Sequence, residues 1–375
     1  MNNTIQAIIL AAGKSTRFCT EKIKLAYPLC GQPMILFLTK LLEQLAIPIT
    51  VVVGYQADSI KKIITQEHGN SIEFITQEQQ YGTGHALACT QPIWKKDSIL
   101  VLNGDVPLIT SDIIHALHEQ HINNNAAISF VISCTTDETT KTYGRVVKIE
   151  NSIAIVEAKD FFGNREEHCC INAGIYLINK QFLNDYISTL TTNNIQNEFY
   201  ITDLVKIASD NHLPVSTFKA SFNSVRGINT LSELSHVEHI RRSTIITYWM
   251  DRGVHFSFPH SVHIDEEVTI GAGSHIGSNV HLLGSTSIAS NCIIKDFSLL
   301  HNVIMDSNST INHHCILHNT HVKAYASVEP FSTTHTEIID SPNHLLHTSE
   351  KPSNADIFSF TGARIIHPLN STDEQ

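Results

Sequence analysis

Ile8-Ile9-Leu10-Ala11-Ala12-Gly13-Lys14-Ser15-Thr16-Arg17 is an apolar run that ends in small residues and then in cations. Such a run, bounded by Gly and followed by the amphipathic set Ile35, Leu36, Leu38, Leu41 and Leu42, reads as a buried strand, a loop and a helix. The loop suits a phosphate. Ala11, Ala12 and Gly13 let the backbone approach an anion, their successive N–H groups can form an anion-binding nest, and Lys14, Arg17, Lys22 and Lys24 supply charge against only Glu21. The competing reading is an ordinary strand-to-helix turn with a solvated basic face, and this stretch alone does not separate the two. Gly13-Lys14-Ser15 mimics the end of a P-loop, but the first Gly of that motif would fall at Ile8, which argues against Walker-type chemistry.

Outward from this stretch, residues 1–229 alternate short apolar strands (Ala7–Leu10, Ile49–Val53, Ile72–Thr76, Ile99–Leu102) with amphipathic helices near 35–46, 57–67, 84–92 and from Thr110 or Ser111 to His121. This is the pattern of an α/β domain with a mostly parallel sheet, in which ligands sit beyond the carboxyl ends of the strands. Two further loops belong there. In Gln77-Glu78-Gln79-Gln80-Tyr81-Gly82-Thr83-Gly84-His85-Ala86 the glycines around Thr83 admit a ring or a phosphate, and the Gln77 amide can donate and accept together, as a uracil-type edge requires. The other reading is a polar loop before a helix. In Asn103-Gly104-Asp105-Val106-Pro107-Leu108 a carboxylate follows the most apolar strand, placed to hold a hard cation.

These three loops, with Tyr143-Gly144-Arg145-Val146, Val156–Asp160, Ile171-Asn172-Ala173-Gly174, Asn193–Asp203 and Gly227-Ile228-Asn229, resemble the sugar-1-phosphate nucleotidyltransferases. Within these the chain is most similar to the bacterial N-acetylglucosamine-1-phosphate uridylyltransferases, the N-terminal halves of bifunctional enzymes. The resemblance covers about the first 330 residues. It implies a Rossmann-like domain that joins UTP to N-acetylglucosamine-1-phosphate with Mg2+. Leu10, Ala11, Ala12, Gly13, Gln77, Gly82 and Thr83 would hold the nucleotide, with Arg17 and Lys24 along its phosphates. Asp105 and Asn229 would be the magnesium ligands, with Arg17, Lys24 and Asp105 the catalytic set. Asn103, Gly104, Gly144, Glu157 and Asn172 would face the sugar. Three positions differ from the family pattern: Ile23 stands where Pro usually precedes the lysine, Asn103 where an aromatic is usual, and Arg226 where the residue is often acidic. A relative with another sugar or base, or a non-catalytic scaffold, would share the fold; retained Arg17, Lys24, Asp105 and Asn229 speak against the scaffold.

Leu231, Leu234, Val237 and Ile240 then mark a linker helix over 230–256. Beyond it Ile264, Ile270, Ile276, Leu282, Ile288, Ile294 and Leu300 recur every six residues, the signature of a parallel β-helix. The register breaks at Asp306, with weaker matches at Ile316, Val322 and Val328. The expectation is a short β-helix over 257–330, left-handed as the resemblance implies, and a polar tail over 331–375. No match to the family's acetyl-transfer residues is found, so one activity is expected, and a homotrimer through the β-helix follows from the resemblance alone.

Composition bounds the rest. With 375 residues, 42% of them hydrophobic, the chain can bury two cores. Its 25 Lys and Arg against 36 Asp and Glu give a net charge of -11, which argues against a general nucleic-acid binder. No leader-like or membrane-spanning stretch is evident, and a cytoplasmic protein without a membrane partner is expected. The eight cysteines form no C-x-x-C pair and read as free thiols, mostly small buried residues. His313, His314, His318 and His321 read as polar turn positions of the repeat and not as metal ligands.

Overall fold

The structure, a computed structural model, describes residues 4–14, 18, 22–135, 137–149, 152–164, 169–340 and 342–344. It divides into two compact units, 1–247 and 248–375. The first is an α/β unit. The strands of its large sheet are β1 (Ile5–Ala11), β2 (Ile49–Val53), β3 (Glu73–Thr76), β4 (Ser98–Asn103), β5 (Ile128–Cys134), β6 (Arg145–Ile149), β7 (Ser152–Val156), β8 (Cys170–Asn179) and β9 (Val215–Lys219). Helices α1 (Met34–Gln44), α2 (Ala57–His68), α3 (Thr83–Ala88), α4 (Ser111–Asn123), α5 (Lys180–Tyr186) and α6 (Asp203–Asp210) lie between them, and α7 (Leu231–Met250) follows.

The sheet runs β9-β5-β8-β4-β1-β2-β3, with the β6/β7 hairpin attached to β8. Pairs β1–β2, β1–β4, β2–β3 and β5–β9 are parallel, and β8 is antiparallel to both of its main neighbours. Strand alternation explains the continuous apolar run of β1: Ile5, Ala7, Ile9 and Ala11 enter one core, and Ile8 enters the other. Both faces are covered, so no polar side is needed. Helix α7 begins in a capping box, in which Thr230 Oγ1 accepts from the Glu233 N–H at 3.1 Å and Glu233 Oε2 accepts from the Thr230 N–H at 3.0 Å. Leu234 and Val237 bury its stripe, while Leu231 is exposed.

The second unit is a parallel β-helix of three sheets, built from strands of two or three residues. Ile264, Leu282, Leu300 and Leu317 stack on one side, Ile270, Ile288, Met305 and Val322 on the next, and Ile276, Ile294, Ile311 and Val328 on the third. The coils continue past 330, through Thr333–His335 and Ile338–Ile339 to Pro342–His344, which corrects the expected end of the repeat. The break near Asp306 is a side one residue shorter. Leu317, not Ile316, faces inward, and Ile316 is exposed.

Two other expectations change. Cys134 and Cys170 form a disulfide because they stand directly opposite each other on β5 and β8, a pairing that sequence separation hides. Cys30, Cys292 and Cys315 are buried, as small apolar residues would be, and Cys19 lies outside the described residues. The β-helix histidines mostly occupy outward strand positions and form ladders along the coils: His263 stacks on His281 with ring centroids 4.9 Å apart, and His318 lies between His301 and His335 at 5.6 Å from each. Among the described residues no helix is long and apolar enough to cross a membrane.

Candidate active site

The carboxyl ends of β1, β3 and β4 open on a cavity of about 870 Å³. Leu10, Ala11, Ala12, Gly13 and Lys14 line it from β1, Gln77 to Thr83 from the loop after β3, and Asn103, Gly104 and Asp105 from the end of β4. Lys24 and Asn229 complete this part of the wall. Close backbone packing brings the loops together. The Gly104 N–H donates to the Leu10 carbonyl at 3.0 Å, and a Cβ at Gly104 would lie 3.0 Å from that oxygen. Gly54, which the sequence reading passed over, has the same use, since a Cβ there would lie 2.9 Å from the Ala12 Cβ.

Lys24 opens a short 3-10 turn (Lys24–Ala26) pinned by buried Ile23, Leu25 and Ala26. Ile23 has φ -61°, the value a proline would impose, so the turn expected from Pro is kept by an apolar anchor instead. The Lys24 ammonium donates to Asp105 Oδ2 at 2.6 Å and to Asn229 Oδ1 at 3.4 Å. A cation therefore already stands between the two predicted metal ligands. One carboxylate and one amide carbonyl form a hard oxygen set, suited to an ion that keeps most of its waters. Among the described residues no group of three or more His, Cys, Asp or Glu is arranged for a metal, so any metal here would rely on this sparse pair. Lys22 lies over the Tyr27 ring at 5.0 Å and does not line the cavity. Arg17 lies outside the described residues.

The loop after β3 is held from two sides. Gln77 is buried, and its Nε2 donates to the Gly82 carbonyl at 3.1 Å and lies 2.9 Å from His85 Nδ1. Gly82 has φ +108°, and a Cβ would lie 2.5 Å from the Phe199 carbonyl oxygen, so only glycine fits. The Thr83 hydroxyl accepts from the Ile201 N–H at 3.1 Å, so its first duty is to hold the 193–203 segment against the loop. From that side Gln196 and Glu198 enter the cavity, together with Lys159, which donates to Gln196 Oε1. Burial pushes the Glu198 carboxyl above its ordinary range, and Lys159 opposes the shift. The motifs contained these three residues, but no spacing rule gave them a place.

Gly144, Glu157 and Asn172 form a cluster apart from the residues lining this cavity. The Asn172 N–H donates to the Gly144 carbonyl at 3.0 Å, and a Cβ at Gly144 would lie 3.5 Å from Glu157 Oε2. Burial raises the Glu157 carboxyl above its usual range, opposed by the Thr202 hydroxyl that donates to Oε1 at 3.0 Å. Asn103 packs on Gly174, where φ is +71° and a Cβ would meet the Asn103 amide at 2.2 Å.

A mixed sheet with nucleotide-sized space beyond its strand ends, cationic loops and Asp105 at the end of β4 fits a nucleotidyltransferase of the sugar-1-phosphate class. Comparison with known proteins agrees: residues 7–146 match the MobA-like NTP transferase domain. The chain belongs to the GlmU family. It is 33% identical over 334 residues to the bifunctional protein GlmU of Exiguobacterium sibiricum, covering 87% of this chain and 72% of that one. The GlmU of Oleidesulfovibrio alaskensis is 36% identical over 313 residues, covering 79% of this chain and 66% of its own length. The chain thus spans about two thirds to three quarters of these relatives. In fold it is similar to a Bacillus anthracis protein named as a glucose-1-phosphate thymidylyltransferase, at TM-score 0.52 and 21% identity over 64% of this chain and 96% of that one.

Proposed function

We propose that the chain converts UTP and N-acetylglucosamine-1-phosphate to UDP-N-acetylglucosamine and pyrophosphate. The observation that carries the reading is the Lys24–Asp105–Asn229 cluster in the wall of the cavity that the β1 and β3 loops also line. The sugar phosphate is itself an anionic nucleophile, so its oxygen can attack the α-phosphorus of UTP without a protein base. One P–O bond forms, the α–β bridge breaks, and pyrophosphate leaves. The chain then has to position and neutralise, which is how phosphoryl transfer is generally catalysed.

Each proposed role follows from the chemistry of its residue. Gln77, its amide nitrogen held by Gly82 and His85, presents its carbonyl to the uracil edge. Leu10 to Gly13 approach the nucleotide with backbone, and Gly82 with Thr83 closes on it. Lys24 and Arg17 face the phosphates and stabilise charge developing on pyrophosphate, a role commonly worth ~3 to 4 kcal/mol per group. Asp105 and Asn229 would hold Mg2+, which when bound neutralises phosphate charge. Asn103 and Gly104, with Gly144, Glu157 and Asn172, take the sugar. The nucleoside triphosphate places the reaction in the cytoplasm. The β-helix, with Ile293 and Ile316 exposed on its faces, is read as a homotrimer contact, which light scattering would refute by finding a concentration-independent monomer.

The test is pyrophosphate release from UTP and N-acetylglucosamine-1-phosphate with Mg2+, beside Asp105→Ala and beside glucose-1-phosphate or TTP as substitutes. Turnover that needs Asp105 and prefers the N-acetyl sugar with UTP is expected. Preference for another pair would replace the substrates, and no turnover with any pair would overturn the enzyme reading.

A further inference from the structure

Arg226, at the position where the resembling pattern is often acidic, is almost fully buried. Its Nη2 donates to Asp137 Oδ2 at 2.9 Å, its Nη1 donates to Thr139 Oγ1 at 2.9 Å, and its guanidinium lies 4.1 Å over the Phe222 ring. Asp137 is itself fixed, accepting from the Thr139 N–H at 2.8 Å and from the Thr139 hydroxyl at 2.6 Å. Asp137 caps a 3-10 turn (Glu138–Thr142), and at its far end the Tyr143 hydroxyl accepts from the Gly227 N–H at 2.7 Å and donates to the Gly227 carbonyl at 3.1 Å. One turn thus grips two successive residues of the loop that ends in Asn229. The next N–H, from Ile228, donates to the Asp105 carbonyl at 3.0 Å. On the other side, Tyr143 leads directly into Gly144, whose carbonyl accepts from Asn172.

Neither Arg226 nor Tyr143 lines the cavity. We propose that Arg226 and Tyr143 are positioning residues that hold the loop bearing Asn229 beside Asp105, and that through them the Gly144–Asn172 cluster is coupled to cation binding. The inference rests on reading the cavity as a nucleotide and sugar-phosphate site. A forked, ring-stacked guanidinium has no equivalent in lysine, so Arg226→Lys should loosen the grip without removing charge. Tyr143→Phe removes the one hydroxyl that satisfies both backbone groups of Gly227.

The experiment is Mn2+ titration followed by the paramagnetic resonance of free Mn2+, with UTP present, on the wild type, Arg226→Lys and Tyr143→Phe. Both variants are expected to weaken Mn2+ about tenfold, the scale of losing an outer support of a metal ligand. UTP affinity without metal should stay within about twofold, since nucleotide contacts are untouched. In a separate titration without UTP, so that no turnover occurs, N-acetylglucosamine-1-phosphate should tighten Mn2+ in the wild type about fivefold, and much less in Tyr143→Phe. Wild-type Mn2+ affinity in both variants, or a parallel loss of metal-free UTP binding, overturns the proposal. A wild type that binds UTP but no Mn2+ overturns the metal-site reading and the coupling with it.

Discussion

Lys24 holds the place between Asp105 and Asn229 that the proposed mechanism gives to a divalent ion, so Lys24→Met should move two observables in opposite directions. The ammonium lies 2.6 Å from Asp105 Oδ2, and the two side chains are only 11% and 20% exposed. A hydrogen bond to a charged group of this kind is worth about 1.5 to 3 kcal/mol. Part of that must be given up before an ion takes both oxygens. Without Lys24 the oxygens are released, and Mn2+ affinity in the absence of nucleotide should rise roughly tenfold, equivalent to ~1.4 kcal/mol. The same substitution removes a charge facing the leaving pyrophosphate, and kcat should fall by roughly 100- to 1000-fold. Paramagnetic resonance of free Mn2+ reads the first effect and pyrophosphate release at saturating substrates reads the second. Weaker Mn2+ binding in Lys24→Met, or a kcat loss below about tenfold, would refute the reasoning.

Three further outcomes are expected. Gly82→Ala forces a side chain to φ +108° and its Cβ to 2.5 Å from the Phe199 carbonyl; KM for UTP should rise at least about tenfold from the displaced 81–84 loop, measured in the same assay. Burial pushes His121, whose Nδ1 pairs with Ser129 Oγ at 2.8 Å, down to about 4 from an ordinary 6.5. The unfolded chain therefore binds the proton first: this contribution is complete above pH 6.5 and lost as pH falls toward 4, about 2 kcal/mol between pH 7 and 5, and urea denaturation of His121→Gln should lack that share of the slope. Leu317→Ala should cost the second unit ~2 to 5 kcal/mol, read by Trp249 fluorescence in a Trp94→Phe background, while the first-unit transition by circular dichroism stays in place.

The parallel half of the sheet was legible because its strands are buried on both faces and carry unbroken apolar stretches before small-residue loops, Ala7–Leu10 and Ile99–Leu102 above all. The lining of the candidate site was legible where a polar residue stands at a strand end, as with Gln77 and Asp105, both of which line the cavity. It was not legible where geometry comes from a distant segment. Nothing near Gly82 in sequence announces that Phe199 will lie against it, and Arg226 looks like an isolated charge until Asp137 and Phe222 are brought to it. The Cys134–Cys170 bridge failed for the same reason, since it depends on the register of two strands that no local pattern states.

The β-helix shows a different failure, one of lag and not of contact. Early coils are closed by sides of six residues, so inward positions recur as Leu282, Ile288, Ile294 and Leu300. After Leu300 the next residue of this stacking series is Met305, five on, and the same short side returns between Leu317 and Val322 and between Thr334 and Ile339. Each coil keeps a full complement of three short strands, because only the corner between them has lost a residue. Because every later coil shortens the same side, Ile288, Met305, Val322 and Ile339 still pair in one column, and the core passes through the apparent break unbroken. A search for period six sees disorder at Asp306, whereas a comparison of each residue with the one seventeen ahead sees the repeat continue to Ile339.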